Sequence, residues 1–87
     1  MWNVEIDKAI QNKIKKIPEP EKGRIKQAII KLGDMPELLD IKKLVGRSGY
    51  RLRVGKWRLI IDIYEEYEEK KLISVRSLDS RGQAYKD

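Results

Sequence analysis

The sequence predicts an α+β fold in which two N-terminal helices form an antiparallel hairpin and pack on one face of a small antiparallel sheet of about four strands. Apolar residues recur at helical spacing in segments 10–17 and 25–32. From residue 50 onward, apolar and polar residues alternate in two β-prone runs, as they do in strands that bury one face. The pair Gly55-Lys56 separates these runs and indicates a tight hairpin. Helices followed by a strand meander favour helices packed on one sheet face.

Composition limits the kinds of protein that this chain can be. A length of 87 residues predicts one domain spanning residues 1–87. A formal net charge of +6 favours an acidic partner, either nucleic acid or an acidic protein segment. Cysteine and histidine are absent, so we expect no disulfide, no thiolate chemistry and no zinc site. We predict neither a bound metal nor a cofactor. Because the sequence has neither an apolar run of membrane-spanning length nor a leader pattern, we expect a cytoplasmic protein without a membrane partner.

The first half of the chain predicts one strand and both helices. Alternation over residues 2–6 predicts a short opening strand, and Asp7 is suited to cap the helix that follows. Pro18 ends that helix, and the segment 18–21 supplies proline and acidic residues that suit the start of the second. Gly33 is predicted to end the second helix. Residues 34–48 show no clean period, so we predict a loop with at most one helical turn.

The predicted hairpin has two chemically different faces. Glycine at the first position of a two-residue loop predicts a type II′ turn. This turn sets the register, in which Val54 lies opposite Trp57, Arg53 opposite Arg58, Leu52 opposite Leu59 and Arg51 opposite Ile60. One face is then apolar, whereas the other gathers Arg51, Arg53 and Arg58. Such a cluster is either an ordinary solvated surface or a site for a polyanion, because guanidinium groups match phosphate oxygens.

The last third of the chain predicts one further strand. Residues 64–71 are mostly charged and predict a turn, after which the apolar run 72–75 predicts a final strand antiparallel to the one before it. Residues 77–87 are predicted to form a polar tail. Trp2 and Trp57 are assigned to the core, because tryptophan at an apolar strand position is more often buried than a stacking platform.

Three segments together resemble a known family. They are Lys43-Leu44-Val45-Gly46, the hairpin from Tyr50 through Ile60, and the ending Arg81-Gly82-Gln83-Ala84-Tyr85-Lys86. The chain is similar over nearly its whole length to the RelE/ParE superfamily of toxins from type II toxin–antitoxin systems. The Arg-Gly-x-x-Tyr ending is similar to archaeal-type members of the RelE-like branch. This resemblance implies the RelE-like microbial RNase fold.

The resemblance also implies an activity and a set of site residues. It implies a ribosome-dependent, metal-independent mRNA endoribonuclease, in which a ribose 2′-hydroxyl attacks the adjacent phosphodiester in line. The implied catalytic residues are Arg51, Arg53, Arg58, Arg81 and Tyr85. The implied residues for RNA or ribosome binding are Lys42, Lys43, Arg47 and Lys56. The implied partners are a cognate antitoxin, the ribosome with its mRNA, and operator DNA reached only through the antitoxin.

The chain also departs from relatives of this family, and the departures keep alternatives open. Some members carry lysines on the first hairpin strand, whereas this chain has arginines, which are poor proton acceptors. Near Asp79, some members have a further basic residue. Phosphate binding is therefore better supported than proton transfer. The alternatives are a ParE-like inhibitor of DNA gyrase and a catalytically weak member that acts mainly as an antitoxin-bound co-repressor.

Overall fold

Two helices and a five-stranded mixed sheet make up the computed structural model, which describes residues 2–67 and 70–80. The elements in chain order are β1 (Asn3–Ile6), α1 (Lys8–Lys15), α2 (Glu21–Asp34), a short 3-10 helix (Pro36–Leu38), β2 (Asp40–Lys43), β3 (Tyr50–Val54), β4 (Trp57–Tyr67) and β5 (Lys70–Ser80). The strand order across the sheet is β1-β5-β4-β3-β2. β1 runs parallel to β5, and all other neighbouring strands are antiparallel.

The predicted fold class is wrong in its sheet and in its placement of the helices. The sheet has five strands rather than about four, it is mixed rather than antiparallel, and the helices follow the predicted opening strand, β1, instead of beginning the chain. β2 was predicted as loop because Ile41 is its only apolar residue, and one residue shows no period. The parallel pairing of β1 with β5 joins Asn3 to Leu72. Alternation reveals which face of a strand is buried but not which distant strand it pairs with.

Both predicted helices are present and bury the expected residues. Asp7 caps α1, because its side-chain Oδ1 accepts a hydrogen bond from the Ile10 amide at 3.1 Å. α2 begins directly after Pro20, as proline and an acidic first turn favour. It continues past Gly33 to Asp34, so the predicted end is one residue early. The helical spacing of the apolar residues therefore predicted both helices, and only the end of α2 differs from the prediction.

The hairpin register is confirmed, but the strands beyond it are longer than predicted. The observed pairs place Val54 opposite Trp57 and Arg53 opposite Arg58. Gly55 has φ +59, and no described non-glycine residue has positive φ, which agrees with a type II′ turn. β4 continues to Tyr67 through most of the predicted charged turn, and β5 continues to Ser80 into the predicted tail. Long cross-strand pairing keeps these charged residues extended.

The core lies between the two helices and one face of the sheet. Its buried members are Ile10, Ile14, Ile17, Ile25, Ala28, Leu32, Leu52, Leu59, Ile61, Ile73, Val75 and Leu78. Trp2 and Trp57 are partly buried and pack against this cluster, as predicted. Among the described helices, none is long and apolar enough to cross a membrane. The face of the sheet opposite the helices, called the open face below, carries the alternate residues of each strand.

A candidate functional site on the open face

A cleft of about 470 Å³ lies on the open face, between β4, β5 and the loop that connects β2 to β3. We call it the basic cleft, and its lining residues are Leu44, Arg47, Ser48, Arg58, Ile60, Arg76, Ser77 and Asp79. Arg58 and Ile60 alternate along β4 with the fully buried Leu59 and Ile61. This alternation places Arg58 on the open face, because successive strand residues point to opposite sides. The helices cover the other side of the sheet, so they leave the cleft uncovered.

Arg58 occupies the centre of this arrangement. Its cross-strand neighbours are Arg53 on β3 and Asp79 on β5. Side chains in such positions lie about 5 Å apart at Cβ, within reach of each other. Asp79 Oδ1 also lies 3.0 Å from Lys13 Nζ, which reaches it from α1. The cleft thus combines guanidinium groups with one carboxylate that a lysine holds in place.

Arg51 is directed away from the basic cleft. Its Nη2 lies 3.4 Å from Asp40 Oδ1 on the edge strand β2, and only 13% of its side chain is exposed. Among the described residues, the buried Arg51 Nε has no hydrogen-bond partner. An unsatisfied buried donor costs about 1–3 kcal/mol and is uncommon in native structures. The predicted cluster is therefore divided: Arg58 lines the cleft, Arg53 is its exposed neighbour, and Arg51 is partly desolvated beside Asp40.

The residues predicted to bind RNA lie in different places. Arg47 lines the basic cleft. Lys42 pairs in register with Arg51 and so shares the open face, whereas Lys43 pairs with Tyr50 on the helix side of the sheet edge. Lys56 lies in the hairpin turn, where its Nζ is 3.4 Å from Glu21 Oε1 of α2. Two of the four cations are therefore on the open face.

Arg76 is a cleft residue that the sequence did not indicate. The register of β4 with β5 shifts between Ile60 and Ile61, and Arg76 is the additional residue of this bulge. Its Nε lies 2.8 Å from Asp62 Oδ2, and its Nη2 donates to the Ser48 carbonyl at 3.2 Å. The available signal was an arginine directly after the apolar run 72–75. Because Val75 is buried, alternation along β5 places Arg76 on the open face, but the predicted strand ended at residue 75.

Glu21 anchors the hairpin turn to α2, away from the basic cleft. The Trp57 indole Nε1 donates to Glu21 Oε2 at 2.5 Å. This hydrogen bond lowers the pKa of Glu21 below its usual value, and the nearby Lys56 and Arg24 lower it further, whereas desolvation opposes them. The Trp57 ring therefore packs against the core, while its N–H makes a hydrogen bond to Glu21 on α2.

Two predicted site residues, Arg81 and Tyr85, lie outside the described residues. Within residues 2–67 and 70–80, no group of three or more histidine, cysteine or acidic side chains is placed to hold a metal ion. The residues that line the basic cleft offer guanidinium groups, which can bind an anion, and the Asp79 carboxylate, which can accept a proton.

These features define a class: a small α+β protein with a basic cleft on the open face of a five-stranded sheet. Solved structures share this fold. The RelE–RelB complex from Pyrococcus horikoshii contains a chain with 26% identity and a TM-score of 0.75, and the match covers 94% of this chain and 97% of that one. The RelB–RelE complex from Methanococcus jannaschii gives 26% identity and a TM-score of 0.71 over 94% of this chain and 95% of that one.

A bacterial complex, RelBE2 from Mycobacterium tuberculosis, matches with a TM-score of 0.70 at 20% identity over 91% of this chain and 96% of that one, which supports the fold alone. No protein-family model and no curated protein matches the sequence. The structural matches confirm the resemblance that the hairpin indicated: the chain is RelE-like.

Proposed function

We propose that this protein is the toxin of a type II toxin–antitoxin system and that it cuts mRNA on the ribosome. The observation that carries this proposal is the basic cleft, lined by Arg47, Arg58 and Arg76 on the open face of a RelE-like fold. A phosphodiester is the anion that such a cleft suits, because planar guanidinium groups bind phosphate oxygens with two parallel hydrogen bonds. An open sheet face admits an extended RNA strand, which an enclosed pocket does not.

Two residues of the cleft are assigned different roles in the cleavage reaction. Arg58 is positioned to neutralise the charge that develops on the pentavalent phosphate, which preorganised donors stabilise most effectively. Asp79 is the only carboxylate among the described lining residues, so we assign it as acceptor of the 2′-hydroxyl proton. As the bond from the 2′-oxygen to phosphorus forms, the bond from phosphorus to the 5′-oxygen breaks. The departing 5′-oxygen takes a proton from solvent, and a 2′,3′-cyclic phosphate remains.

Some of the other site residues implied by the family resemblance lie near this centre. Arg53 is the exposed cross-strand neighbour of Arg58 and contributes positive charge beside it. Lys42 extends the basic surface onto the edge strand β2, whereas Arg51 is held beside Asp40 and is assigned to the site by the resemblance alone. Arg81 and Tyr85 follow β5 in the sequence, and we assign them to substrate binding by the resemblance. A reaction that needs no metal ion is part of the proposal on the strength of the family resemblance.

The partners follow from the same proposal. Three of the matching structures are complexes of RelE with RelB or of a toxin with its antitoxin. We propose a cognate antitoxin that covers the basic face with a helix or strand, and operator DNA that is reached only through this antitoxin. The net charge of +6 favours an acidic covering segment. Action on ribosome-bound mRNA places the protein in the cytoplasm.

A reconstituted translation reaction tests the activity. Purified protein is added to translating ribosomes, and primer extension maps the mRNA ends. We expect cuts in phase with the codons. A reaction without ribosomes and a known mRNA-cleaving toxin are the controls. Intact mRNA, where the control toxin cuts, refutes the proposal, and inhibition of gyrase supercoiling by the same preparation would then establish the ParE-like alternative.

A further inference from the structure

The loop that connects β2 to β3, residues 44–49, borders the basic cleft and is called the cleft loop. A hydrogen bond joins its two ends. The Leu44 amide donates to the Gly49 carbonyl at 3.1 Å. Between these residues the chain is exposed, and Val45 has 98% of its surface accessible. Leu44, Arg47 and Ser48 nevertheless line the cleft. The position of this cleft loop therefore decides where the Arg47 guanidinium lies relative to Arg58.

One side chain joins the cleft loop to the sheet. Arg76 Nη2 donates to the Ser48 carbonyl at 3.2 Å, while Arg76 Nε lies 2.8 Å from Asp62 Oδ2 on β4. Asp62 is only 17% exposed at its side chain, so the carboxylate is held within the sheet surface. The planar guanidinium group can make both contacts at once because its donors point in fixed, different directions.

The backbone next to this contact is shaped to admit Arg76. Gly49 has φ +108, and a Cβ atom at this position would lie 2.5 Å from Arg76 Nη2. The same atom would lie 3.3 Å from Asp62 Oδ1. Because glycine has no Cβ atom, position 49 leaves room for the Arg76 side chain, which pairs with Asp62 and reaches the Ser48 carbonyl. Arg76 lies on the open face because it follows the buried Val75 along β5.

We propose that Arg76 is a positioning residue that fastens the cleft loop to β4 and so holds Arg47 across the basic cleft from Arg58. This inference rests on the proposed function, since RNA is the ligand that Arg47 would bind. Arg76 itself is occupied by Asp62 and Ser48, so its effect on RNA passes through the loop. A lysine at position 76 would keep the charge but could not make the two directed contacts together.

The test compares Arg76→Lys with wild-type protein in two measurements. Amide hydrogen exchange at Leu44 reports loop closure without any substrate, and we expect it to be at least about tenfold faster in the variant. Cleavage in the reconstituted translation reaction should fall about tenfold, chiefly through a higher KM, because the loss concerns RNA binding. Arg24→Lys, an exposed arginine on α2, is the matched control and should leave both measurements unchanged.

A double variant separates positioning from direct contact. If Arg76 acts through Arg47, then Arg76→Lys should change cleavage less than about twofold in an Arg47→Ala background. Multiplying effects would mean that Arg76 contacts RNA by itself and would overturn the proposal. Wild-type exchange at Leu44 in Arg76→Lys would overturn it as well. If that variant does not fold, Asp62→Ala removes the Nε partner and should give the same faster exchange.

Failure of the proposed function is distinguishable from failure of this inference. If the wild-type protein leaves mRNA intact, the nuclease proposal fails, and the exchange measurement still decides whether Arg76 closes the loop. Binding of a single-stranded RNA oligonucleotide, followed by fluorescence anisotropy, then replaces cleavage in the double-variant comparison. If wild-type protein cuts mRNA and Arg76→Lys cuts it equally well with equal exchange at Leu44, only the positioning role of Arg76 is refuted.

Discussion

Substitution of Gly49 by alanine should reduce stability more than substitution of any freely exposed turn glycine. Gly49 combines φ +108 with close neighbours, because a Cβ atom would lie 2.5 Å from Arg76 Nη2 and 3.2 Å from the Ile61 carbonyl oxygen. The first neighbour is the end of a flexible side chain and can move. The second is backbone of β4 and cannot move without disturbing the sheet. Alanine at position 49 therefore has to adopt an unfavourable backbone conformation and also make a close contact with the Ile61 carbonyl oxygen.

The magnitude follows from these two effects. A non-glycine residue held in such a sparsely populated region costs about 1–3 kcal/mol. Displacing Arg76 from the Ser48 carbonyl adds the loss of a hydrogen bond to a charged group, which partial exposure reduces to roughly 1 kcal/mol. We therefore expect about 2–4 kcal/mol in total. For a protein of this size, each kcal/mol lowers Tm by about 4–8 °C, so Tm should fall by at least about 8 °C.

Gly55→Ala supplies the matched control for this prediction. Gly55 has φ +59, but a Cβ atom there would meet nothing within 4 Å. Only the left-handed backbone cost of about 1–2 kcal/mol then applies. Thermal denaturation followed by circular dichroism compares the two variants with wild type. Equal Tm values for Gly49→Ala and Gly55→Ala would show that the contacts around Gly49 do not constrain the cleft loop.

Four further predictions follow. Arg58→Ala should reduce mRNA cleavage by about 10²–10³ in protein that circular dichroism shows to be folded, as loss of one transition-state donor does, and full cleavage by this variant would remove it from the site. Asp79→Asn should lower kcat by about 10²–10⁴ with little change in KM, and an equal loss in Lys13→Gln would instead assign the effect to their ion pair. Arg51→Met should leave Tm unchanged or higher, since it removes a buried unsatisfied donor, and a large fall would mean that the contact with Asp40 outweighs this cost. Because the folded-state pKa of Glu21 is lowered, its contact with the Trp57 indole should stabilise the protein above about pH 4.5 and lose this effect as pH falls further; the Tm of Glu21→Gln should thus approach wild type only in acid.

Local patterns predicted the parts of the fold that local energetics control. The spacing of Ile10 and Ile14 marked the buried side of α1, and Asp7 marked its start, because helix periodicity and capping act within a few residues. The glycine at position 55 specified the turn, and the turn specified which residues of β3 and β4 face each other. The resemblance to RelE-like proteins depended on this hairpin and is confirmed by the structural matches.

Long-range pairing controlled what the sequence did not predict. The edge strand β2 is stabilised by its pairing with β3, and β1 by its parallel pairing with β5, so neither the strand number nor the mixed sheet is visible in local alternation. The bulge at Arg76 depends likewise on the register between two strands. These contacts between distant segments explain why the predicted fold class was wrong while the hairpin register was right.

The sequence by itself determined that three arginines share one face of the β3–β4 hairpin, because the turn and the two-residue period of a strand leave no other arrangement. Only the tertiary structure decided which side chains lie beside each of these arginines. Pairing with β2 brings Asp40 to Arg51, whereas pairing with β5 brings Asp79 and the bulged Arg76 beside Arg58. The chemistry of the basic cleft therefore depends on strands that are neighbours in the sheet but not in the sequence.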